Sequence, residues 1–396
     1  MTINLKEMLS PVVRDLPPSG IRKFFDLIAG SPDMISLGVG EPDFVTPKKI
    51  RQTAIEALQR GETSYTSNKG TFELRQAITQ QLSELYDVQY DSENEILITI
   101  GASEAVDLTL RSVICPGDEV LIVEPAYVSY EPCAILAGGK PISILTKAEN
   151  DFKLMPCDLE AAITPKTKLL IMAYPNNPTG AIMTKDELAP IAKLAVKHNL
   201  LVLSDEIYSD LTYGQEHTSI IELPGMAERT ILVSGFSKSF AMTGWRIGYA
   251  VGPSEVIEAM TKIHQYTILC APNLAQLAAL EGIKNGKADM LEMVEQYDER
   301  RKYIYKRLIG MGLACFEPKG AFYIFPSIKN TGYTSAEFAE QLLYEEKVAV
   351  IPGEAFGATG IGHIRISYAN SIENLIKAMN RMERFIEKTR ERELAI

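Results

Sequence analysis

The chain is 396 residues long and 46% hydrophobic, enough to bury a sizeable core, and its length suits two domains or one large domain with a smaller appendage. Its formal net charge of −11 argues against a nucleic-acid partner, since such binding rests on clustered Lys and Arg neutralising phosphates. No apolar run approaches the roughly 18–20 residues of a membrane span, and the first residues lack the apolar stretch of a secretory leader, so a cytoplasmic protein without a membrane partner is expected.

In chain order, the Pro- and Gly-rich entry at 15–20 and the segment 37–47 precede the first good helix, so this arm is expected to join a small domain or to cross a site. From about residue 95 to 250, short β-rich runs alternate with helical patterns. The runs 96–100, 120–123, 141–145, 169–173, 200–203, 230–233 and 246–251 read as strands, several of them apolar throughout, as strands buried on two faces are. Between them, 104–114 and 186–198 carry apolar residues at helical spacing. This predicts an α/β architecture with a mostly parallel central sheet sandwiched by helices. Beyond about residue 285 follow a charged helix at 290–311, a strand-like 321–326, a helix at 335–346 and an amphipathic helix from Ser371. The expected division is therefore 1–45 as an N-terminal arm and part of a small domain, 46–284 as a large domain, and 285–396 as a C-terminal small α+β domain. Five widely spaced cysteines (Cys115, Cys133, Cys157, Cys270, Cys315) read as reduced core residues. The four histidines (His198, His217, His264, His363) are too dispersed to predict a metal site.

Ligands of open α/β sheets bind beyond the carboxyl ends of the strands, and several motifs fall there. Gly101-Ala102-Ser103 follows the run 96–100 and opens a helix. It reads either as a turn with Ser103 as N-cap or as a phosphate cradle, since a helix N-terminus offers free N–H groups and partial positive charge. Asp205 ends a buried run, where an ionised carboxylate needs a cation or donor; a pyridinium N–H would serve, and a helix cap is the alternative. Lys238, flanked by Ser237 and followed by Arg246, lies in a long connection; an enclosed lysine has a depressed pKa and can add to an aldehyde to form a Schiff base. Asn177 sits in a Pro-Asn-Asn-Pro-Thr-Gly turn that ends the run 169–173. Arg365 lies in an apolar strand pattern, where it needs either a substrate carboxylate or an internal ion pair.

Seven motifs stand in one order: Gly40-Glu-Pro-Asp-Phe, Ser64-Tyr65-Thr, Gly101-Ala-Ser, Asn177-Pro-Thr-Gly, Ser204-Asp-Glu-Ile-Tyr, Ser237-Lys-Ser-Phe-Ala-Met-Thr-Gly-Trp-Arg and Arg365-Ile-Ser. From about Gly20 to Phe385 the chain resembles the class I/II aminotransferases of pyridoxal-phosphate fold type I, in particular the bacterial subgroup that includes aspartate, alanine, aromatic and N-acetyl-diaminopimelate aminotransferases. The resemblance implies a transaminase that holds pyridoxal 5'-phosphate on Lys238. It would exchange an amino group between an L-amino acid (alanine, aromatic or aspartate-like) and a 2-oxo acid such as 2-oxoglutarate, in a ping-pong cycle. Lys238 would also shuttle the substrate proton, Asp205 would keep the ring nitrogen protonated, and Asn177 and Tyr208 would hydrogen-bond the cofactor's 3'-oxygen. Gly101, Ala102, Ser103, Ser237 and Arg246 would hold the phosphate, Tyr127 would stack on the ring, and Gly40, Asn177 and Arg365 would bind the α-carboxylate. Tyr65 would reach the neighbouring subunit's phosphate, so a homodimer is expected.

Three departures shape the expectation. Gly235 stands where many relatives place a phosphate-binding serine, Tyr127 replaces a tryptophan of aspartate-using relatives, and Ser103 replaces a lysine that some of them use against a distal carboxylate. Strict aspartate specificity is therefore not expected; Arg22 and Lys23 are the unplaced basic residues that could restore it. The alternatives are a C–S lyase on the same fold, distinguished by release of ammonia and pyruvate, and a non-catalytic regulator, which would need a DNA-binding module.

Overall fold

The structure, a computed structural model, describes residues 3–18 and 33–394. After a short strand β1 (Ile35–Ser36), seven strands build the main sheet: β2 (Ile96–Thr99), β3 (Glu119–Glu124), β4 (Lys140–Leu145), β5 (Thr167–Ala173), β6 (Leu201–Asp205), β7 (Thr230–Gly235) and β8 (Gly248–Val251). Their order is β2-β8-β7-β6-β5-β3-β4, parallel throughout except for β8, which runs antiparallel to β2 and β7. Each of the seven predicted runs supplies one of these strands. The last is shorter than its pattern, because Arg246 adopts φ +55° at the end of a 3-10 turn (Thr243–Trp245) and cannot start a strand.

The all-apolar strands are explained by burial on both sides. In β5, Leu169, Ile171 and Ala173 pack with Leu97, Val120 and Leu203 on one face, while Leu170 and Met172 pack with Leu121, Val123 and Val202 on the other. Each such Leu, Ile or Val side chain contributes about 1.5–3 kcal/mol by leaving water. The helix Lys185–Lys197 starts at a capping box between Thr184 and Glu187 and buries Leu188, Ile191, Ala192 and Ala195, one face at 3- and 4-residue spacing. The helix expected after residue 47 is Lys48–Gln59, whereas Asn273–Asn285 escaped the pattern reading because its buried stripe is small: Ala275, Ala278, Ala279 and Gly282.

A second core lies beyond the main sheet. Strands β9 (Tyr323–Ile324), β10 (Val348–Ala349), β11 (Ile351–Pro352) and β12 (Ile364–Ser367) form it with three helices, Lys287–Gly310, Ser335–Glu346 and Ile372–Leu394. Here β1 pairs with β10 in parallel, and β11-β12-β9 form an antiparallel sheet. Tyr297, Phe322, Phe338, Met379 and Phe385 fill this core, and Leu37 from the N-terminal segment joins them. The predicted strand at 321–326 shrinks to Tyr323–Ile324, its start trimmed by Ala321, which takes φ +56°.

All five cysteines are free, but they are not core residues: Cys115 and Cys157 are exposed and the other three are intermediate. Their apolar sequence neighbours belong to element ends; Cys115 follows the helix Gly101–Val113, and Cys157 lies in the first turn of Pro156–Ala162. Among the described residues no helix is long and apolar enough to cross a membrane.

Candidate active site

Because most of the main sheet is parallel, the carboxyl ends of β2, β3, β5, β6 and β7 share one edge, and antiparallel β8 starts there. Ala102 and Ser103 follow β2, Tyr127 follows β3, Asn177 follows β5, Asp205 ends β6 with Tyr208 just beyond it, Ser237 and Lys238 follow β7, and Arg246 precedes β8. From the second core, β12 adds Arg365, and the segment after β1 adds Gly40. All of these line one cavity of about 710 Å³. Gly101 lies behind it, and Tyr65 stands outside with 83% of its surface exposed.

One end of the cavity is an anion cup. Gly101 takes φ +74°, a backbone conformation that favours glycine, and a Cβ there would meet Arg246 Nη2 at 2.5 Å and push the guanidinium aside. The helix starts at Gly101 with Ile100 as N-cap, which puts Ser103 inside the first turn, not at the capping position. Glu104 Oε2 accepts from the Ile100 amide at 2.5 Å, and its other oxygen meets His264 Nδ1 at 2.7 Å. The first-turn amides beyond Ile100 have no carbonyl one turn back to bond. Arg246 donates to the carbonyls of Thr243 at 3.1 Å and Ile100 at 3.5 Å, and pairs with no carboxylate among the described residues. Gly235, where a serine was the expected alternative, faces Gly248 across β7 and β8; a Cβ there would lie 2.8 Å from the Gly248 Cα.

Lys238 lies deeper. Its Nζ donates to the Gly40 carbonyl at 2.6 Å. Burial lowers its pKa from 10.5 to about 8; Arg365 and Arg246 push the same way, against Glu41 and Asp205. The sign follows: the amine is protonated and inert below that value and becomes a nucleophile above it. In the cofactor-free protein, acylation of Lys238 followed by peptide mass mapping should show a rate rising with pH to a midpoint near 8. A midpoint at the ordinary lysine value would remove the depressed amine from the argument.

Asp205 is 7% exposed, and desolvation pushes its pKa up. Its Oδ2 accepts from the Tyr130 hydroxyl at 2.6 Å and its Oδ1 from the Ile207 amide at 3.1 Å. No helix starts after Asp205, so the Ile207 bond closes a turn and the helix-cap alternative does not hold; the buried carboxylate has two neutral donors, and a partner bearing N–H would complete the set. Tyr130, fully enclosed beside Tyr127, was missed in the sequence because it lies 75 residues from the carboxylate it meets.

Arg365 is 3% exposed. It donates through Nη1 to Asn177 Oδ1 at 2.9 Å and through Nη2 to the Gly38 carbonyl at 2.6 Å, while Nε has no partner. The rings of Tyr323 and Phe356 lie 4.5 and 4.8 Å from the guanidinium carbon. No carboxylate pairs with it among the described residues, so the internal ion pair considered for it is absent there, and burial lowers its pKa. A buried cation that meets only neutral acceptors and aromatic faces is suited to an incoming anion. Tyr208 meets the Tyr323 hydroxyl at 2.7 Å. Tyr323 was also missed; its only sequence signal was an aromatic residue within the strand-like run 321–326.

Among the described residues, the cations that line the cavity are Lys238, Arg246 and Arg365, and the anions are Asp205 and Glu41, the latter accepting from the Thr243 hydroxyl. Arg22 and Lys23 lie outside the described residues. An anion cup, an amine, a buried carboxylate and the face of Tyr127 fit a flat, phosphorylated aldehyde with a ring nitrogen. Arg365 remains for a second anion.

A family model described as aminotransferase class I and II matches residues 32–382. An aspartate aminotransferase of Pyrococcus abyssi is 49% identical over 372 residues, covering 93% of this chain and 96% of that protein. An aromatic-amino-acid aminotransferase of Thermococcus litoralis is 46% identical over 383 residues, covering 96% and 98%. The crystal structure of an aromatic aminotransferase from Pyrococcus horikoshii superposes with a TM-score of 0.89 at 47% identity, covering 93% of this chain and 99% of that one.

Proposed function

The chain belongs to the class I and II aminotransferases, a family that works with pyridoxal 5'-phosphate, and on that premise we propose that it moves the α-amino group of an L-amino acid, neutral or acidic, to 2-oxoglutarate in a ping-pong cycle. The observation that carries the substrate half of this reading is Arg365, a buried guanidinium with no carboxylate partner among the described residues, in a cavity shared with an amine of lowered pKa.

When bound, the cofactor supplies an aldehyde carbon that takes the amino group and a ring that draws electrons from the substrate α-carbon. The protein's own groups do the rest. Arg246, Ser237 and the first-turn amides of Ala102 and Ser103 grip the phosphate, with Gly101 letting the guanidinium come close. Asp205, held by Tyr130, keeps a proton on the ring nitrogen by charge, and Tyr208 and Asn177 meet the 3'-oxygen. Tyr127 covers the ring face. Arg365, steadied by Asn177 and Gly38, orients the substrate by its α-carboxylate, and Gly40 closes on that group. Lys238 takes the proton from the α-carbon as free amine and returns it on the other side of the exchange; its lowered pKa makes that form far more abundant than an ordinary lysine's at the same pH.

The donor reading follows from charge. Each described cation of the cavity already has an assignment, and Glu41 adds a carboxylate at its edge. Neutral side chains are therefore accepted beside glutamate, a view supported by relatives named for aspartate and for aromatic amino acids. The working unit is a homodimer in which Tyr65 reaches the partner's site. Tyr65 is 83% and Tyr266 87% exposed, Ile268 and Leu269 are exposed too, and Asn68 bonds the Leu269 carbonyl, so these apolar groups lie on one surface that a second copy would cover.

A panel of amino acids with 2-oxoglutarate as acceptor tests the reading. Alanine, phenylalanine and tyrosine should each form glutamate above background. Activity confined to aspartate and glutamate would discard the neutral donor and point to a distal cation, with Arg22 and Lys23 first in line. Ammonia and pyruvate released without an acceptor would favour the lyase.

A further inference from the structure

We infer that Tyr323 is a positioning residue: its hydroxyl donates to Tyr208 and thereby directs the proton of Tyr208 toward the 3'-oxygen of the bound cofactor. The inference rests on the reading of Tyr208 given above and extends it by one residue.

A phenol has one proton to donate. The two hydroxyls are 2.7 Å apart and either could be the donor, so geometry alone leaves two proton arrangements. If Tyr208 donates to Tyr323, it has nothing left for the cofactor. If Tyr323 donates, the chain runs from Tyr323 to Tyr208 to the 3'-oxygen, and each hydroxyl supplies one proton in one direction. Tyr208 is the sole hydrogen-bond partner of the Tyr323 hydroxyl among the described residues, so no stronger acceptor diverts that proton.

The surroundings hold Tyr323 in this role. It is 1% exposed, lies edge-on to Tyr208 at 5.7 Å between centroids, and is packed against Phe322 at 4.9 Å. Across the sheet it pairs with Ser367, two residues beyond Arg365, which brings the guanidinium over its ring at 4.5 Å. That cation makes the hydroxyl a better donor, although burial dominates and keeps its pKa above the ordinary value. Gly40 makes the space: a Cβ there would stand 2.4 Å from the Tyr323 hydroxyl oxygen. A phenylalanine at 323 would keep the packing and the cation contact and lose the hydroxyl, both as donor to Tyr208 and as a rival acceptor.

The test is the pH titration of the bound cofactor's absorbance, in the holoenzyme without substrate, for wild type, Tyr323→Phe, Tyr208→Phe and the double variant. Losing a donor to the 3'-oxygen leaves that oxygen richer in charge, so the nitrogen joined to Lys238 holds its proton more tightly and the midpoint rises. Tyr208→Phe should raise it by about half to one pH unit, the size of one hydrogen bond; Tyr323→Phe should raise it by a smaller step, about a tenth to a third of that, because Tyr208 still donates but is no longer polarised by a second donor; and the double variant should rise no further than Tyr208→Phe alone. Propionate, a monocarboxylate probe for Arg365, should bind Tyr323→Phe within about twofold of wild type. A shift in Tyr208→Phe but none in Tyr323→Phe would overturn this inference and leave the Tyr208 reading standing. No shift in either would remove the Tyr208 reading, and this inference with it. Additive shifts would show that Tyr323 acts by another route, and a tenfold weaker propionate site would make its hydroxyl a support of Arg365; either overturns the assignment.

Discussion

Lys238→Ala should lose covalent cofactor attachment and transamination together, with kcat falling by at least about 10⁴, the upper range for losing a positioned acid–base group, here compounded by loss of the attachment itself. Lys238 is the lysine among the described residues lining the cavity, and its amine is desolvated to a pKa of about 8. The fold should tolerate the change. Alanine leaves the Gly40 carbonyl without its donor, a cost of about 1–3 kcal/mol, but it also removes a cation that burial penalises. Borohydride reduction of the wild-type holoenzyme, digestion and mass mapping should put the label on Lys238, and the variant should release its cofactor on gel filtration in denaturant. A label on another lysine, or turnover within a hundredfold of wild type, would refute the assignment.

Arg365→Ala should lower kcat/KM by roughly 10²–10⁴ for every amino acid that the enzyme uses, the fold-change of about 3–5 kcal/mol lost when a buried ion pair loses one partner. The uniformity matters more than the size. A guanidinium that reads the α-carboxylate meets the group all donors share, so alanine, phenylalanine and glutamate should suffer alike. Arg365→Lys should restore little, since an ammonium cannot present two parallel donors or replace the flat contact with Tyr323 and Phe356. Steady-state kinetics across three donors decides the matter. A loss confined to dicarboxylic donors would move Arg365 to the side-chain end of the substrate, and an unchanged kcat/KM would mean that the cation is structural.

Some of this architecture was legible in the chain because its causes are local. The apolar runs that became β3, β5, β6 and β7 are strands because consecutive residues face opposite sides, and both sides of this sheet are covered. The Thr184–Glu187 capping box and the 3- and 4-residue spacing after it mark a helix within one turn of chain. Residue chemistry was equally local: Gly101-Ala-Ser at a helix start, a lysine between serines, and an arginine in an apolar strand each carry their functional bias in a few neighbours. What escaped was also local in cause, since the helix Asn273–Asn285, whose buried face is alanine and glycine, gives little contrast, and the left-handed backbone of Arg246 and Ala321 trimmed the starts of two predicted strands.

The site's energetics were settled only by chain closure. Lys238 meets the Gly40 carbonyl across 198 residues, Arg365 meets Asn177 across 188, Tyr208 meets Tyr323 across 115, and Asp205 meets Tyr130 across 75. In the sequence Arg365 could have had an internal carboxylate or none; packing decided for neutral acceptors and an orphaned Nε. The charge a buried group can carry depends on which solvent it loses and which partners replace it, and neither is written in the residues beside it. Pattern along the chain thus determined the sheet and the types of group at its edge, while tertiary structure decided which of those groups would be left wanting an anion, a proton donor or a second hydroxyl.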